Sequence, residues 1–180
     1  LVQNKYALIY EKSKGKSLEK VSKNDIFEIA TFLKEFHKIT KNKISTNPQL
    51  FLKDELYELI EKTNHKPFFE LFSKIDIELK NDGIIHGDLF PDNATFLDKK
   101  LSCVFDFIQS CNGDFLFDLA VIALSWCNTK EEIIYLLKSY QTDITYESFI
   151  PYLKYAGLYY CVTRFLEKKD FSDLWNKITF

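Results

Sequence analysis

The stretch 83–106 reads GIIHGDLFPDNATFLDKKLSCVFD and carries three oxygen-bearing side chains at suggestive spacing, Asp88, Asn93 and Asp106. The apolar pair Ile84-Ile85 leads into His86-Gly87-Asp88. Pro91-Asp92-Asn93 follows, and then two runs of strand formers, 94–97 and 101–105, separated by Asp98-Lys99-Lys100. The pattern predicts a strand, a polar loop and a β-hairpin. A turn centred on Lys99-Lys100 sets Asn93 opposite Asp106. Directly opposed residues point to one face, with Cα atoms about 4.5–5.5 Å apart. An amide oxygen beside a carboxylate suits Mg²⁺, which takes one or two protein oxygens and fills its shell from water and phosphate. Asp88 is then free to act on a substrate hydroxyl. Lys-Lys lacks the Asn-Gly or Asp-Gly chemistry of a two-residue turn, so the register is open to a one-residue slip.

Helices must position this loop. Ser22-x-x-Asp25 is a capping box. After it Ile26, Ile29, Ala30, Leu33, Phe36 and His37 recur at helical spacing. His37 ends that stripe and reads as structural. Pro48 suits the first turn of a second helix running to Lys62, and Pro67 the start of a third over 68–79. His65 lies between them and reads as exposed. After the hairpin, 109–113 reads as a loop facing the site. Asp114 can cap a helix over 115–127 whose all-round apolar character marks it as buried. Asp118 is its lone charge. Unpaired there, it would cost several kcal/mol; an acid in the first turn also suits the helix dipole. Thr129-x-x-Glu132 caps a further helix, 131–140. A longer one spans 145–168, which Pro151 breaks or starts, and 171–178 closes the chain. Lys12 to Lys20 is a lysine-rich segment that reads as a solvated loop.

Composition narrows the class. A chain of 180 residues, 46% hydrophobic and 16% aromatic, is long and apolar enough for one packed core. The formal net charge is −2 with both signs interspersed, which gives no basic patch for nucleic acid. The four cysteines, Cys103, Cys111, Cys127 and Cys161, show no paired spacing for zinc or a disulfide framework and read as free thiols in a reducing cytosol. No apolar run approaches a membrane span. Cytoplasmic localisation is the expectation; the sequence is silent on oligomeric state.

His86-x-Asp88-Leu89-x-x-x-Asn93 resembles the kinase catalytic-loop pattern, with Gly87 where protein kinases carry arginine. Asp106-Phe107 resembles the start of their metal-binding triplet, with Ile108 in place of glycine. Both departures resemble the aminoglycoside-phosphotransferase and choline-kinase branch, which phosphorylates small molecules. Within it, HGDLFPDNATF followed by DFIQSCNGDFLFDLAVIALSWC is most similar to the bacterial homoserine kinases of the kinase-like type. The dense match covers 86–96 and 106–127; the flanking helices agree only in pattern.

The resemblance implies an α+β, predominantly helical fold: the C-terminal lobe of a bilobal protein-kinase-like architecture with a catalytic β-hairpin. Asp88 would be the catalytic base, and Asn93 and Asp106 would hold Mg²⁺ on the phosphates of ATP. His86 would brace the loop and Asp118 support it from behind. Residues 1–12 would be the last strand and hinge of an N-terminal lobe, the run Tyr6 to Tyr10 (YALIY) being that strand. Tyr10, Glu11 and Lys12 would lie near the adenine, and residues 13–180 would form the helical lobe. The phosphate-covering loop and early-strand lysine of such kinases have no counterpart here: the five glycines form no G-x-G-x-x-G, and Gly15-Lys16-Ser17 lacks the first glycine of a P-loop. The expectation is therefore a fragment, inactive alone.

The acceptor would be a small alcohol. L-Homoserine, as in threonine biosynthesis, leads by resemblance; choline, an aminoglycoside or a sugar remain open, as does a catalytically silent binding domain. Arg164, the one arginine, can receive an amino-acid carboxylate through its planar fork or pair with Glu167 on its own helix. Asp114 could supply the matching anionic contact if the fold brings the two together.

Overall fold

The computed structural model describes residues 11–179, so the expected strand at Tyr6 to Tyr10 and the site residue Tyr10 lie outside the described residues. Helix α1 (Lys23–Thr40) begins where the capping box places it. The Ser22 N–H donates to Asp25 Oδ2 at 2.8 Å, and the Asp25 N–H donates back to Ser22 Oγ at 3.4 Å. Ile26, Ile29, Ala30, Leu33 and His37 form its buried stripe.

The next two helices differ from their expected bounds, for local reasons. Helix α2 (Lys53–Thr63) starts well after Pro48 because Phe51 takes a left-handed conformation (φ 64°). The Phe51 N–H donates to Glu55 at 2.8 Å and its carbonyl accepts from the Tyr155 hydroxyl at 2.8 Å. Helix α3 (Lys66–Phe72) stops short of Leu79. The next donors turn back on the helix end, the Lys74 N–H to the Leu71 carbonyl at 3.0 Å and the Ile75 N–H to that of Phe72 at 3.1 Å, which closes the helix in tight turns. His65 is half-buried, its ring against Phe68 (4.5 Å) and Phe165 (5.2 Å), and not the exposed residue expected.

Two antiparallel pairs surround the polar loop. Strand β1 (Gly83–Ile85) pairs with β4 (Cys111–Gly113), so the segment after the hairpin is not wholly loop. Strand β2 (Ala94–Leu97) pairs with β3 (Lys100–Val104). Leu97 faces Lys100, which centres the turn on Asp98-Lys99, both left-handed (φ 50° and 63°). That is the backbone of a two-residue hairpin with positive φ at both central positions. Asn24 Nδ2 steadies it by donating to the Lys99 carbonyl at 2.8 Å. Ser102 is then extra, and past that bulge Ala94 faces Val104. The expected register, with Asn93 opposite Asp106, is therefore displaced by one: the Asn93 carbonyl accepts from the Phe105 N–H at 3.1 Å.

The segment after Lys12 is not a free loop either. Lys16 exchanges two backbone hydrogen bonds with Phe96, at 3.0 and 2.9 Å. Gly15 permits the approach: it has φ 95°, and a Cβ there would lie 2.3 Å from the Phe96 oxygen.

Helix α4 (Phe115–Trp126) is buried on nearly all sides and packs along α6 (Tyr146–Leu166). Asp114 caps it through the Leu116 N–H at 2.7 Å. Helix α5 (Lys130–Tyr140), capped by Thr129, packs on α1. Helix α6 continues through Pro151, losing only the bond to the carbonyl of exposed Glu147. Helix α7 (Ser172–Ile178) docks Lys177 Nζ onto the end of α4, 2.7 Å from the Leu124 oxygen and 2.9 Å from that of Cys127. No helix among the described residues is long and apolar enough to cross a membrane.

Candidate active site

Loop 86–93 is held from behind by one buried carboxylate. Asp118, on the first turn of α4, has no exposed surface. Its Oδ2 accepts from the His86 N–H (2.8 Å) and from His37 Nε2 (2.9 Å), and its Oδ1 from the Gly87 N–H (2.9 Å). Burial alone would raise this carboxyl. The hydrogen bond from His37, then the N–H of His86, outweigh burial and hold it below the ordinary carboxylate value. His37 is clamped in turn: its Nδ1 meets the Tyr140 hydroxyl at 2.7 Å and its ring stacks on Phe115 at 3.9 Å.

His86 ties the loop to the hairpin. Its Nε2 lies 3.1 Å from the Phe105 carbonyl, and its Nδ1 3.3 Å from the Asp88 N–H. A carbonyl can only accept and an N–H can only donate, so the two contacts select the neutral tautomer protonated at Nε2. His86 thus ties the loop to the hairpin, and His37 holds the carboxylate behind it.

Gly87 makes the bend. Its φ is 81°, and a Cβ would meet the Phe51 ring at 2.7 Å. Phe51 in turn rests on Phe117 (4.6 Å) and Tyr159 (4.8 Å). The left-handed kink at Phe51 thus builds the floor under the loop. Farther along, buried Trp126 donates its Nε1–H to the Leu89 carbonyl at 2.8 Å.

The front of the loop is open. Asp88 is half-buried and its carboxyl is raised. Burial is the main cause, and the charges of Asp92 and Asp106 add to it; His86 and the Tyr160 hydroxyl oppose it. Asn93 is buried and turns its Nδ2 onto Asp88, 2.7 Å from the backbone oxygen and 3.4 Å from Oδ2. Its Oδ1 is therefore the atom left for a ligand. Asp106 is exposed and leaves the ladder in a left-handed conformation (φ 63°). So although Asn93 and Asp106 are not cross-strand partners, both border Asp88, one by contact and one by charge. An amide oxygen and an exposed carboxylate are hard donors that fit a magnesium ion.

A cavity of about 680 Å³ opens at Asp88. Asp88, Phe90 and Asp92 line one side, Gln109 another, and Tyr160 and Arg164 of α6 the far wall. Arg164 lies over the Phe90 ring, 5.7 Å from its centre. Glu167, the alternative partner offered by the sequence, pairs with Lys169 at 2.8 Å. Asp114 does not share this cavity. It is 3% exposed, and its two oxygens are engaged by Leu116 and Lys80, so the structure does not bring it to Arg164. Glu11 and Lys12 are exposed, just before the segment that pairs with β2. Tyr160 and the floor residue Phe51 carried no sequence signal, because their roles come from partners far away in the chain.

A polar loop held by a helix-borne aspartate, a hairpin and a helical lobe define the fold of the small-molecule phosphotransferases. The chain belongs to the phosphotransferase enzyme family, whose sequence pattern matches residues 2–152. It is 30% identical over 120 residues to a homoserine kinase of Bartonella henselae, covering 54% of this chain and 38% of that protein. It is 56% identical over 45 residues to a homoserine kinase of Azorhizobium caulinodans, covering 25% of this chain and 14% of that one. The chain thus spans less than half the length of these relatives. Among solved structures, choline kinase LicA from Streptococcus pneumoniae superposes with a TM-score of 0.61 at 22% identity, over 87% of this chain and 61% of that one. A GDP and kanamycin complex of an aminoglycoside phosphotransferase gives 0.65 at 16% identity, over 94% and 67%. These likenesses confirm the protein-kinase-like fold.

Proposed function

We propose that this chain carries the catalytic loop and acceptor cavity of a kinase that transfers the γ-phosphoryl group of ATP to the hydroxyl of L-homoserine. The observation that carries the reading is the placement of Asp88. Its carboxylate sits at the mouth of a cavity large enough for a small alcohol, in contact with the Asn93 amide and within the field of the Asp106 charge. Asp88 accepts a hydrogen bond from the acceptor hydroxyl and aligns it for in-line attack. Most of the rate then comes from positioning and electrostatics. Asn93 and Asp106 would hold magnesium, which when bound supplies positive charge to the phosphates. Tyr10, Glu11 and Lys12 would form the hinge that meets the adenine, residues 13–180 the helical lobe, and the lobe carrying the phosphate-covering loop would come from elsewhere in a longer protein. These 180 residues alone are expected to be inactive.

Homoserine is favoured on two grounds. The curated relatives are homoserine kinases, and Arg164 offers the cavity a guanidinium suited to an amino-acid carboxylate. Choline is the alternative with an observation behind it, since Phe90, Tyr159 and Tyr160 line the cavity. A quaternary ammonium needs the open face of such rings, and the Phe90 face already carries Arg164. The test uses the full-length protein with ATP and Mg²⁺ and compares kcat/KM for homoserine, choline, a sugar and an aminoglycoside. Homoserine should lead by at least about a hundredfold, a floor well under the roughly 10⁴-fold that a site built around a polar contact can reach. A lead by any other acceptor rejects homoserine and keeps the kinase; no turnover with all four rejects the kinase.

A further inference from the structure

Tyr160 lies in the wall of the cavity, one helical turn before Arg164, with 7% of its surface exposed. Its hydroxyl donates to the carbonyl of Gly87, the residue that bends the loop into Asp88. The same peptide segment is gripped from the opposite side, where the Gly87 N–H donates to Asp118 Oδ1 at 2.9 Å. The two bonds fix the peptide planes on either side of Gly87, and the carbonyl bond fixes the one that leads into Asp88. The Tyr160 hydroxyl also lies beside the Asp88 carboxylate, and its ring is held edge-on by Phe90 (4.9 Å) and Tyr159 (6.1 Å). A hydroxyl so confined has little freedom to turn elsewhere.

We infer that Tyr160 is a positioning residue for Asp88: its hydroxyl locks the Gly87 carbonyl and so aims the Asp88 carboxylate into the acceptor cavity. The inference rests on the kinase reading above, and it predicts a specific kinetic signature. A group that aims the base without holding the acceptor acts on turnover, not on substrate affinity. Loss of aim is costly, because a small misplacement of a reacting group removes much of the rate.

The experiment compares Tyr160→Phe with wild type in the full-length protein, with ATP, Mg²⁺ and the acceptor that wild type uses best. The Phe variant keeps the ring contacts and deletes only the hydroxyl. Nucleotide titration counts the molecules with an intact site, so lost fold is separated from lost turnover. The expected result is a kcat per intact site at least about tenfold lower, with KM for acceptor and nucleotide held within about threefold. A kcat equal to wild type overturns the proposal, and so does a rise in acceptor KM at constant kcat, which would make Tyr160 an acceptor contact. In both cases the kinase reading stands. Absence of wild-type turnover with every alcohol is the separate result that removes the reading and the proposal together.

Discussion

Two aspartates face each other across loop 86–93 and live in opposite worlds. Asp118, behind the loop, is fully buried and accepts three hydrogen bonds, and its carboxyl is held below the ordinary value. Asp88, in front, is half-buried between Asp92 and Asp106, and its carboxyl is raised. The difference teaches which acid serves the fold and which serves a ligand. A buried carboxylate with both oxygens hydrogen-bonded stabilises the native chain. One raised by burial first and by neighbouring like charge second is kept at a cost to the fold, the pattern of a functional site.

The largest stability effect should come from breaking the rear. Asp118→Ala leaves two loop N–H groups and buried His37 without an acceptor, and should cost about 3–5 kcal/mol, read as a lower urea midpoint. Gly87→Ala, at the joint between the two faces, forces a left-handed alanine against the Phe51 ring. It should cost about 1–3 kcal/mol by the same measurement. A loss at Gly87 larger than at Asp118 would reverse the account of what holds the loop.

The smaller effect is the pH dependence, which has opposite signs at the two residues. The folded pKa of Asp118 is depressed, so its stabilisation is present above the unfolded value, near ~4, and fades as pH falls through the lower folded value. The folded pKa of Asp88 is raised. Its contribution favours folding below the unfolded value and is lost as pH rises through the higher folded one, so at neutral pH it works against the fold. Acid melts should therefore show Asp118→Asn reducing the stability lost below pH ~4, and Asp88→Asn melting higher than wild type at neutral pH. Asp88→Asn melting lower would erase the contrast.

What could be read in advance follows the same division between local and distant causes. The Ser22, Asp114 and Thr129 caps and the apolar run of α4 are local signals, and each stands where the residues placed it. So does the loop that carries His86, Asp88 and Asn93. The hairpin register was not legible, because Asp98-Lys99 carries no turn signature for its left-handed backbone and the Asn24 bond to the Lys99 carbonyl comes from distant α1. Strand β4 is three residues long and exists through its partner β1. The late start of α2 depends on Tyr155 reaching Phe51 from more than a hundred residues away in the chain. Arg164 carried a signal as the lone arginine, but its departure from Glu167 and its place over Phe90 needed the packed lobe.

Asp88→Asn in the full-length protein tests the central claim most directly, with nucleotide binding, thermal midpoint and turnover measured on one preparation. A functional front and a structural rear predict nucleotide affinity within about threefold of wild type, an equal or higher midpoint, and kcat reduced by about a hundredfold or more, the scale of a lost catalytic base. Near-normal turnover, or a fold that collapses as it should for Asp118, would contradict the account.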